Sequence, residues 1–587
     1  MATFAIGSSD FLLDGRPLRI ISGAMHYFRS LPEQYAPRLR LLRGMGLNTI
    51  ETYVAWNVHE PEPGRYVWNG LAALDPFLDA AAAAGLYAIV RPGPFICAEW
   101  DNGGLPAWLL ADRSTRLRCY DRTYLNAVDR WFDQLIPRLA ARQVTRGGNV
   151  LMLQVENEYG SYGTDRPYLE YLANAMRVRG IDVPLFTSDG PTDARLSAGT
   201  LPGVLATVNF GSAPKDAFTT LRAHQPTGPL MCMEYWNGWF DHWGEEHHTR
   251  SPKDAAQTLD EMLAAGASVN IYMAHGGTNF GFRAGANRAE GTGELEPTIT
   301  SYDYDAPLDE AGRPTAKYWA YQEVIGRYLE IPSAPDVRKP ATLPEQQLVA
   351  SATVPLAAAL DQLGEPRGTA PYPRTFEEMG LAGGLGRYRC RVRGPRHHAP
   401  LLLEGLADEA FVWCDGEFTG SLSGDETLHV PVPPDGLSFD VVVAAYGRTN
   451  FGAALGDRKG VSGARHGEAY LHGWQSAALP LDPLPQLPFG PLPGDPRGGP
   501  RFWYVPLRVG EPADGFLALP GWNHGMVWVN GFCLGRYDVA SGPQRTLYIP
   551  GPLLRPGDNA IVVLELTPRG DLEAPPTFQL RSDADLG

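Results

Sequence analysis

Six carboxylates stand where short apolar runs end. Glu99 lies in Arg91-Pro-Gly-Pro-Phe-Ile-Cys-Ala-Glu-Trp100, and Glu156 and Glu158 lie in Gln154-Val-Glu-Asn-Glu-Tyr-Gly160. Glu234 follows Met231-Cys-Met, and Asp303 and Asp305 close Ser301-Tyr-Asp-Tyr-Asp305. Aromatic residues crowd the same segments: Tyr53, Trp56, Trp100, Tyr159, Tyr235, Trp236, Trp239, Trp243 and Tyr272. Carboxylates among flat apolar rings are the equipment for breaking a glycosidic bond. One carboxylic acid protonates the departing oxygen while another carboxylate attacks the anomeric carbon or activates water. A spacing of about 5–5.5 Å gives retention and roughly 6.5–9.5 Å gives inversion. The bland alternative is that such acids pair with arginines or cap helices. Single acids fit either reading, and clustering with aromatics at several strand ends favours chemistry.

Those acids need a frame. Apolar runs of strand length occur at Leu18–Ser22, Leu47–Tyr53, Leu86–Arg91, Val150–Glu156, Val183–Ser188, Val204–Asn209, Leu230–Glu234 and Asn270–His275. Helical segments alternate with them, among them Leu71–Ala84, Tyr124–Arg142, Pro167–Arg179, Pro252–Ala265 and Thr315–Tyr328. Eight strands alternating with helices predict an α/β fold, a (β/α)8 TIM barrel over residues 1–330, with reacting groups at the carboxyl ends of the strands. An open doubly wound sheet is disfavoured, because no strand leads into a glycine-rich phosphate loop.

After Ile331 the helical period disappears. Residues 331–372 read as a linker with connecting strands, and 480–500 as a Pro/Gly-rich connector. The flanking segments, 373–479 and 501–587, resemble each other. Phe411-Val-Trp-Cys-Asp-Gly416 with Gly420 matches Met526-Val-Trp-Val-Asn-Gly531 with Gly535, and Leu428-His-Val-Pro431 matches Leu547-Tyr-Ile-Pro550. Asp-Gly and Asn-Gly suit tight hairpins that require positive φ. Two all-β sandwich domains of jelly-roll type are expected. Spacing alone leaves open whether they bind sugar or brace the barrel.

Composition agrees with a turn-rich, ordered chain: 66 glycines and 52 prolines among 587 residues, without a fixed period. The net charge of −16 disfavours nucleic acid and anionic membranes as partners. No run reaches the roughly 18 apolar residues of a membrane span, and the first residues do not read as a secretory signal. Six cysteines without a CxxC pair suggest free thiols in a reducing, cytoplasmic setting. His242, His247 and His248 lack the spacing of a zinc helix, so neither metal nor other cofactor is expected.

Several long stretches resemble glycoside hydrolase family 35, the β-galactosidases of clan A. They are Ile50-Glu-Thr-Tyr-Val-Ala-Trp-Asn-Val-His-Glu-Pro61, residues 91–110, Gln154–Gly163, Gly276–Gly281 and Thr300–Gly312, continued by Gly447-Arg-Thr-Asn-Phe-Gly452 and Trp528-Val-Asn-Gly531. The resemblance implies an exo-acting, retaining enzyme that releases terminal β-galactose from an oligosaccharide or glycan. Carried over by position, Glu158 resembles the acid/base and Glu234 the nucleophile. Tyr53, Glu99, Asn157 and Tyr304 match positions that hold galactose hydroxyls, with Ile96 and Ala98 in the same strand-three loop. Tyr272 matches a tyrosine that hydrogen-bonds the nucleophile. Strand alternation alone does not choose between Glu156 and Glu158, and the motif favours Glu158. Adjacent Asn157 and Glu158 can both face a sugar only if the strand end leaves regular pleating.

Two departures matter. The disulfide that the resemblance implies for secreted and lysosomal relatives lacks a partner for Cys97 within Ser161–Asp165. Trp236, Trp239 and Trp243 replace smaller aromatics, which resembles the bacterial branch preferring β-1,3-linked galactose; Phe451 is expected to reach the same mouth. The bland reading of the tryptophans is packing between barrel and β domain. An exo-β-glucosaminidase of the same family and a non-catalytic galactoside-binding protein are the alternatives. Several relatives are dimers, so homodimerisation is open here too.

Overall fold

The apolar runs close into a barrel in the computed structural model, which describes residues 2–332, 341–364, 366–492, 499–567 and 575–587. Its eight parallel strands are β1 (Ile21–Met25), β2 (Thr49–Tyr53), β3 (Tyr87–Arg91), β4 (Val150–Gln154), β5 (Leu185–Asp189), β6 (Leu205–Phe210), β7 (Met231–Trp236) and β8 (Ser268–His275). Neighbours pair in chain order, and β8 returns to β1. The strands are almost wholly buried, as expected where helices cover one face and the barrel interior fills the other. The first strand lies later than the run Leu18–Ser22, because Leu18 belongs to a separate antiparallel sheet, Phe4–Ile6, Phe11–Leu13 and Arg16–Leu18.

Helices start where the sequence offers caps. Asp121 accepts the amide of Tyr124 at 2.9 Å ahead of Arg122–Ala140, and Asp165 accepts that of Tyr168 at 3.2 Å ahead of Arg166–Val178. Proline opens Pro214–His224 and Pro252–Ala264, where its missing N–H costs no helical bond. The long loops after β3, β7 and β8 carry Glu99, Trp239 and Tyr304 to one end of the barrel.

Two sandwiches follow. The first packs a six-stranded sheet on a four-stranded one, and the second packs a five-stranded sheet on a four-stranded one. The repeat seen in the sequence is real in the backbone. Glu409–Cys414 pairs with Glu417–Ser423, His524–Val529 pairs with Phe532–Asp538, and both hairpins shift register at the tryptophan, Trp413 or Trp528. Asp415 (φ 47°) and Asn530 (φ 51°) turn each hairpin together with the following glycine. Trp413 and Trp528 are buried in the cluster joining the two sandwiches.

The stretch 331–372 does more than link. Gln346–Val349 pairs with Thr577–Arg581, and Ala352–Pro355 pairs with Arg501–Tyr504, so both strands belong to the C-terminal sandwich rather than to a connector. Residues 333–340 of the expected linker and 493–498 of the expected connector lie outside the described residues.

Candidate active site

At the carboxyl ends of the strands lies a cavity of about 230 Å³, lined by Tyr53, Cys97, Ala98, Glu99, Asn157, Glu158, Arg195, Glu234, Trp236, Trp239, Phe240, Tyr272, Asn287, Tyr304 and Phe451. Its floor is a charged network centred on β7. Glu234 Oε1 accepts from Tyr53 Oη at 2.8 Å and from Arg91 Nη2 at 2.6 Å, while Oε2 accepts from Trp236 Nε1 at 3.1 Å. Arg91 is fully buried and also donates to Asn157 Oδ1 at 2.6 Å. Register explains the grouping: Tyr53 of β2 is level with Arg91 of β3, and Asn209 of β6 is level with Glu234 of β7.

Glu158 stands just beyond the end of β4 and lines the same cavity as Glu234. Asn209 Nδ2 donates to Glu158 Oε1 at 2.9 Å, so a neighbour of one carboxylate holds the other. Burial, followed by the negative charge of Glu234, pushes the Glu158 carboxyl up to about 8. Such a group keeps its proton at neutral pH and can give it away. A salt-bridged carboxylate and a protonated one across a single cavity can act as nucleophile and acid.

The pleat breaks where both Asn157 and Glu158 must be presented. β4 ends at Gln154, and Glu156 (φ 59°) and Glu158 (φ 46°) are left-handed. Glu156 is thereby turned away from the cavity. Arg118 grips it through Nε and Nη2, both at 2.8 Å, and Tyr168 Oη donates to it at 3.1 Å. It is structural, and it anchors the backbone beside Glu158.

Cys97 (φ 58°), Ala98 (φ 57°) and Glu99 (φ 48°) are likewise left-handed in succession, a conformation that costs non-glycine residues energy and tends to collect at functional sites. The turn points Glu99 into the cavity, where the Tyr302 hydroxyl donates to it. Burial raises the Glu99 carboxyl, opposed by the Tyr302 hydrogen bond and the nearby Arg29 charge. Tyr304 (φ 61°) enters from the loop after β8.

Most expected residues meet here: Tyr53, Ala98, Glu99, Asn157, Glu158, Glu234, Trp236, Trp239, Tyr272, Tyr304 and Phe451 line one cavity. Three expectations need correction. Trp243 is outside it: its amide donates to Pro297 O at 3.0 Å and the next residue, Gly244, bonds Gly542 O at 2.8 Å, which ties this segment to the C-terminal sandwich. Ile96 lies behind the lining and acts through its carbonyl, which accepts from Asn157 Nδ2 at 3.3 Å. Tyr272 does not bond Glu234; its hydroxyl lies 3.4 Å from that of Tyr302, and Tyr53 occupies the place at the carboxylate.

Asp305 is paired with Lys317 Nζ at 2.6 Å, and Asp303 Oδ1 accepts the Glu310 amide at 3.2 Å, so both brace their loop. His247 and His248 each place Nδ1 2.8 Å from Asp241, which holds this loop closed. All six cysteines are free. Arg91, Asn209, Phe240, Asn287 and Arg195 escaped the sequence reading. Arg91 had one available signal, its place at the end of a strand run beside the Glu99 loop.

Sequence comparisons agree with this architecture. The Glycosyl hydrolases family 35 profile matches residues 10–328. Two β-galactosidase profiles match behind it, the first all-beta domain over 373–481 and the galactose-binding domain over 500–559. A mouse beta-galactosidase-1-like protein is 42% identical over 95% of this chain and 88% of its own length. A bovine beta-galactosidase is 40% identical over 95% and 89%, and a human one 39% over 95% and 86%. The chain belongs to glycosyl hydrolase family 35 and is a glycoside hydrolase.

Proposed function

We propose that this family 35 hydrolase releases terminal non-reducing β-D-galactose from galactosides by double displacement. Glu234 attacks the anomeric carbon while protonated Glu158 gives its proton to the leaving oxygen. Glu158, then ionised, takes a proton from the water that opens the galactosyl ester. The observation that carries the reading is the asymmetry of the pair: Glu234 is salt-bridged to Arg91 at 2.6 Å, whereas Glu158 has no cationic partner within bonding distance among the described residues and is pushed up to about 8. Esterification of Glu234 removes the charge that raises Glu158, which converts the acid into a base when the second step needs one. The β-galactosidases at about 40% identity over nearly the whole chain support galactose as the sugar released.

Trp236, Trp239, Phe240 and Phe451 wall the mouth of the cavity. Flat faces at that place favour a leaving sugar folded against them and support a β-1,3 preference. Six free thiols support a reducing, cytoplasmic setting. Hydrolysis of 4-nitrophenyl β-D-galactoside with β-galactose as the first product, abolished in Glu234→Gln, is the test. Full activity of that variant refutes the pair, and a preference for the corresponding glucosaminide refutes the sugar.

A further inference from the structure

Arg195 is the single basic residue among those lining the cavity, and its guanidinium makes no hydrogen bond or ion pair among the described residues. It is exposed at the mouth. Arginine stays charged at any physiological pH and offers a planar fork of donors that matches oxyanions. The other cations near the site are spent: Arg91 on Glu234 and Asn157, Arg29 on Asn279 and the Ala98 carbonyl. Asp189 feels the Arg195 charge but turns Oδ1 to the Gly160 amide at 2.7 Å.

Arg195 is placed by two glycines. A Cβ on Gly160 would come within 2.0 Å of the Arg195 carbonyl oxygen, and one on Gly190 within 2.5 Å of its Nη1. Neither glycine has a positive φ; Gly160 is needed for space against the Arg195 backbone, and Gly190 leaves the room in which the guanidinium lies. Gly160 lies two residues beyond Glu158, and the Glu158 amide donates to Ser188 O at 3.1 Å on β5. The Arg195 backbone is therefore keyed into the loop that carries the acid, and its side chain is laid across Gly190 toward the opening.

We infer that Arg195 forms part of the leaving-group subsite and recognises an oxyanion, a carboxylate or sulfate borne by the group to which galactose is linked. The inference rests on the roles proposed above, because the acid must stand beside the glycosidic oxygen and so marks the leaving-group side of the cavity. Deeper in the cavity the buried carboxyl groups of Glu99 and Glu234 make the sugar pocket acidic, so an anion fits only at the mouth. There Arg195 offers a charge-assisted contact that no residue of the cavity competes for.

The test compares three 4-nitrophenyl β-D-galactosides carrying, on the ring, a carboxylate, a sulfonate, or the neutral methyl ester of that carboxylate. In Arg195→Gln the ratio of kcat/KM for an anionic probe to that for the neutral ester is expected to fall about tenfold relative to wild type, with partial recovery in Arg195→Lys. The wild-type ratio should also decline as salt rises. A ratio that Arg195→Gln leaves within twofold of wild type for both anions overturns the inference, while cleavage of the neutral ester leaves the galactosidase reading standing. Failure of wild type to cleave any of the three overturns both.

Discussion

Arg448 Nη1 of the first sandwich lies 3.0 Å from Asp101 Oδ2 of the barrel, across 347 positions of sequence. The same guanidinium grips Glu377 through Nε and Nη2 at 2.9 and 2.5 Å, and its amide donates to Asp101 Oδ1 at 2.7 Å. All three side chains are buried. The backbone continues the clamp, because Ala286 donates to Arg448 O at 3.0 Å and Asn450 donates to Ala286 O at 2.9 Å. Phe451, the next residue, lines the cavity. The sandwich thus supplies a wall of the site.

Arg448→Met takes from two buried carboxylates, Asp101 and Glu377, the cation they are paired with. It is expected to destabilise the protein by about 3–5 kcal/mol, read by urea denaturation, and to lower kcat/KM through loss of the Phe451 wall. Full stability with full activity would show that the clamp is dispensable.

The basic limb of activity should belong to Glu158. Its protonated form is the acid, so kcat/KM is expected to decline as pH rises through about 8. Glu234→Gln removes the repelling charge and should move the Glu158 titration downward, followed by NMR of a labelled carboxyl. Stability runs with the same sign. The unfolded chain loses this proton near the ordinary glutamate value and the folded chain near 8, so folding weakens progressively between those two values. Glu158→Gln is therefore expected to unfold at a higher temperature than wild type at pH 8, while losing activity.

Arg91→Lys tests the floor of the site. A lysine keeps one charge but has no second nitrogen to hold Gln154 Oε1, as Arg91 Nε does, while Nη2 serves Glu234 and Asn157. A loss of about a hundredfold or more in kcat is expected, with KM changing less. Retention of wild-type kcat would reduce Arg91 to a structural ion.

Trp239 is 38% exposed beside Trp236 and Phe240, with ring centroids 5.5 and 5.1 Å away. Trp239→Ala is expected to lower kcat/KM on a β-1,3-linked galactoside about five- to tenfold more than on its β-1,4 isomer, measured by galactose release. Equal losses would mean that the ring does not select linkage.

Local pattern carried much of this structure. Barrel strands are buried on both sides and so show as unbroken apolar runs, and the acids that matter stand at their ends. What stayed hidden was long-range. Nothing around Trp243 distinguishes it from Trp239, because what removes it from the cavity is a bond between Gly244 and Gly542, about half the chain away. Tyr53 rather than Tyr272 meets Glu234 because of barrel register, which no single strand encodes. Glu156 and Glu158 are two residues apart on what reads as one strand, and a left-handed backbone with a buried Arg118 separates their fates. Arg195 sits on a short helix, Asp193–Gly199, whose place beside the acid depends on a distant glycine, Gly160.

The strands Gln346–Val349 and Ala352–Pro355 are made before the first sandwich yet pair with Thr577–Arg581 and Arg501–Tyr504 after it. During synthesis both must wait, unpaired, while the first sandwich emerges, Ala352–Pro355 until Arg501–Tyr504 follows and Gln346–Val349 until Thr577–Arg581 does. A nonsense codon or a proteolytic cut ahead of Thr577 would therefore strip a partner from a strand encoded far upstream. The first sandwich is a nested insertion whose entry and exit meet where Leu356 N donates to Pro500 O at 2.9 Å. Excising it would leave a gap that the chain could close, but the excised piece would take Arg448 and Phe451 with it.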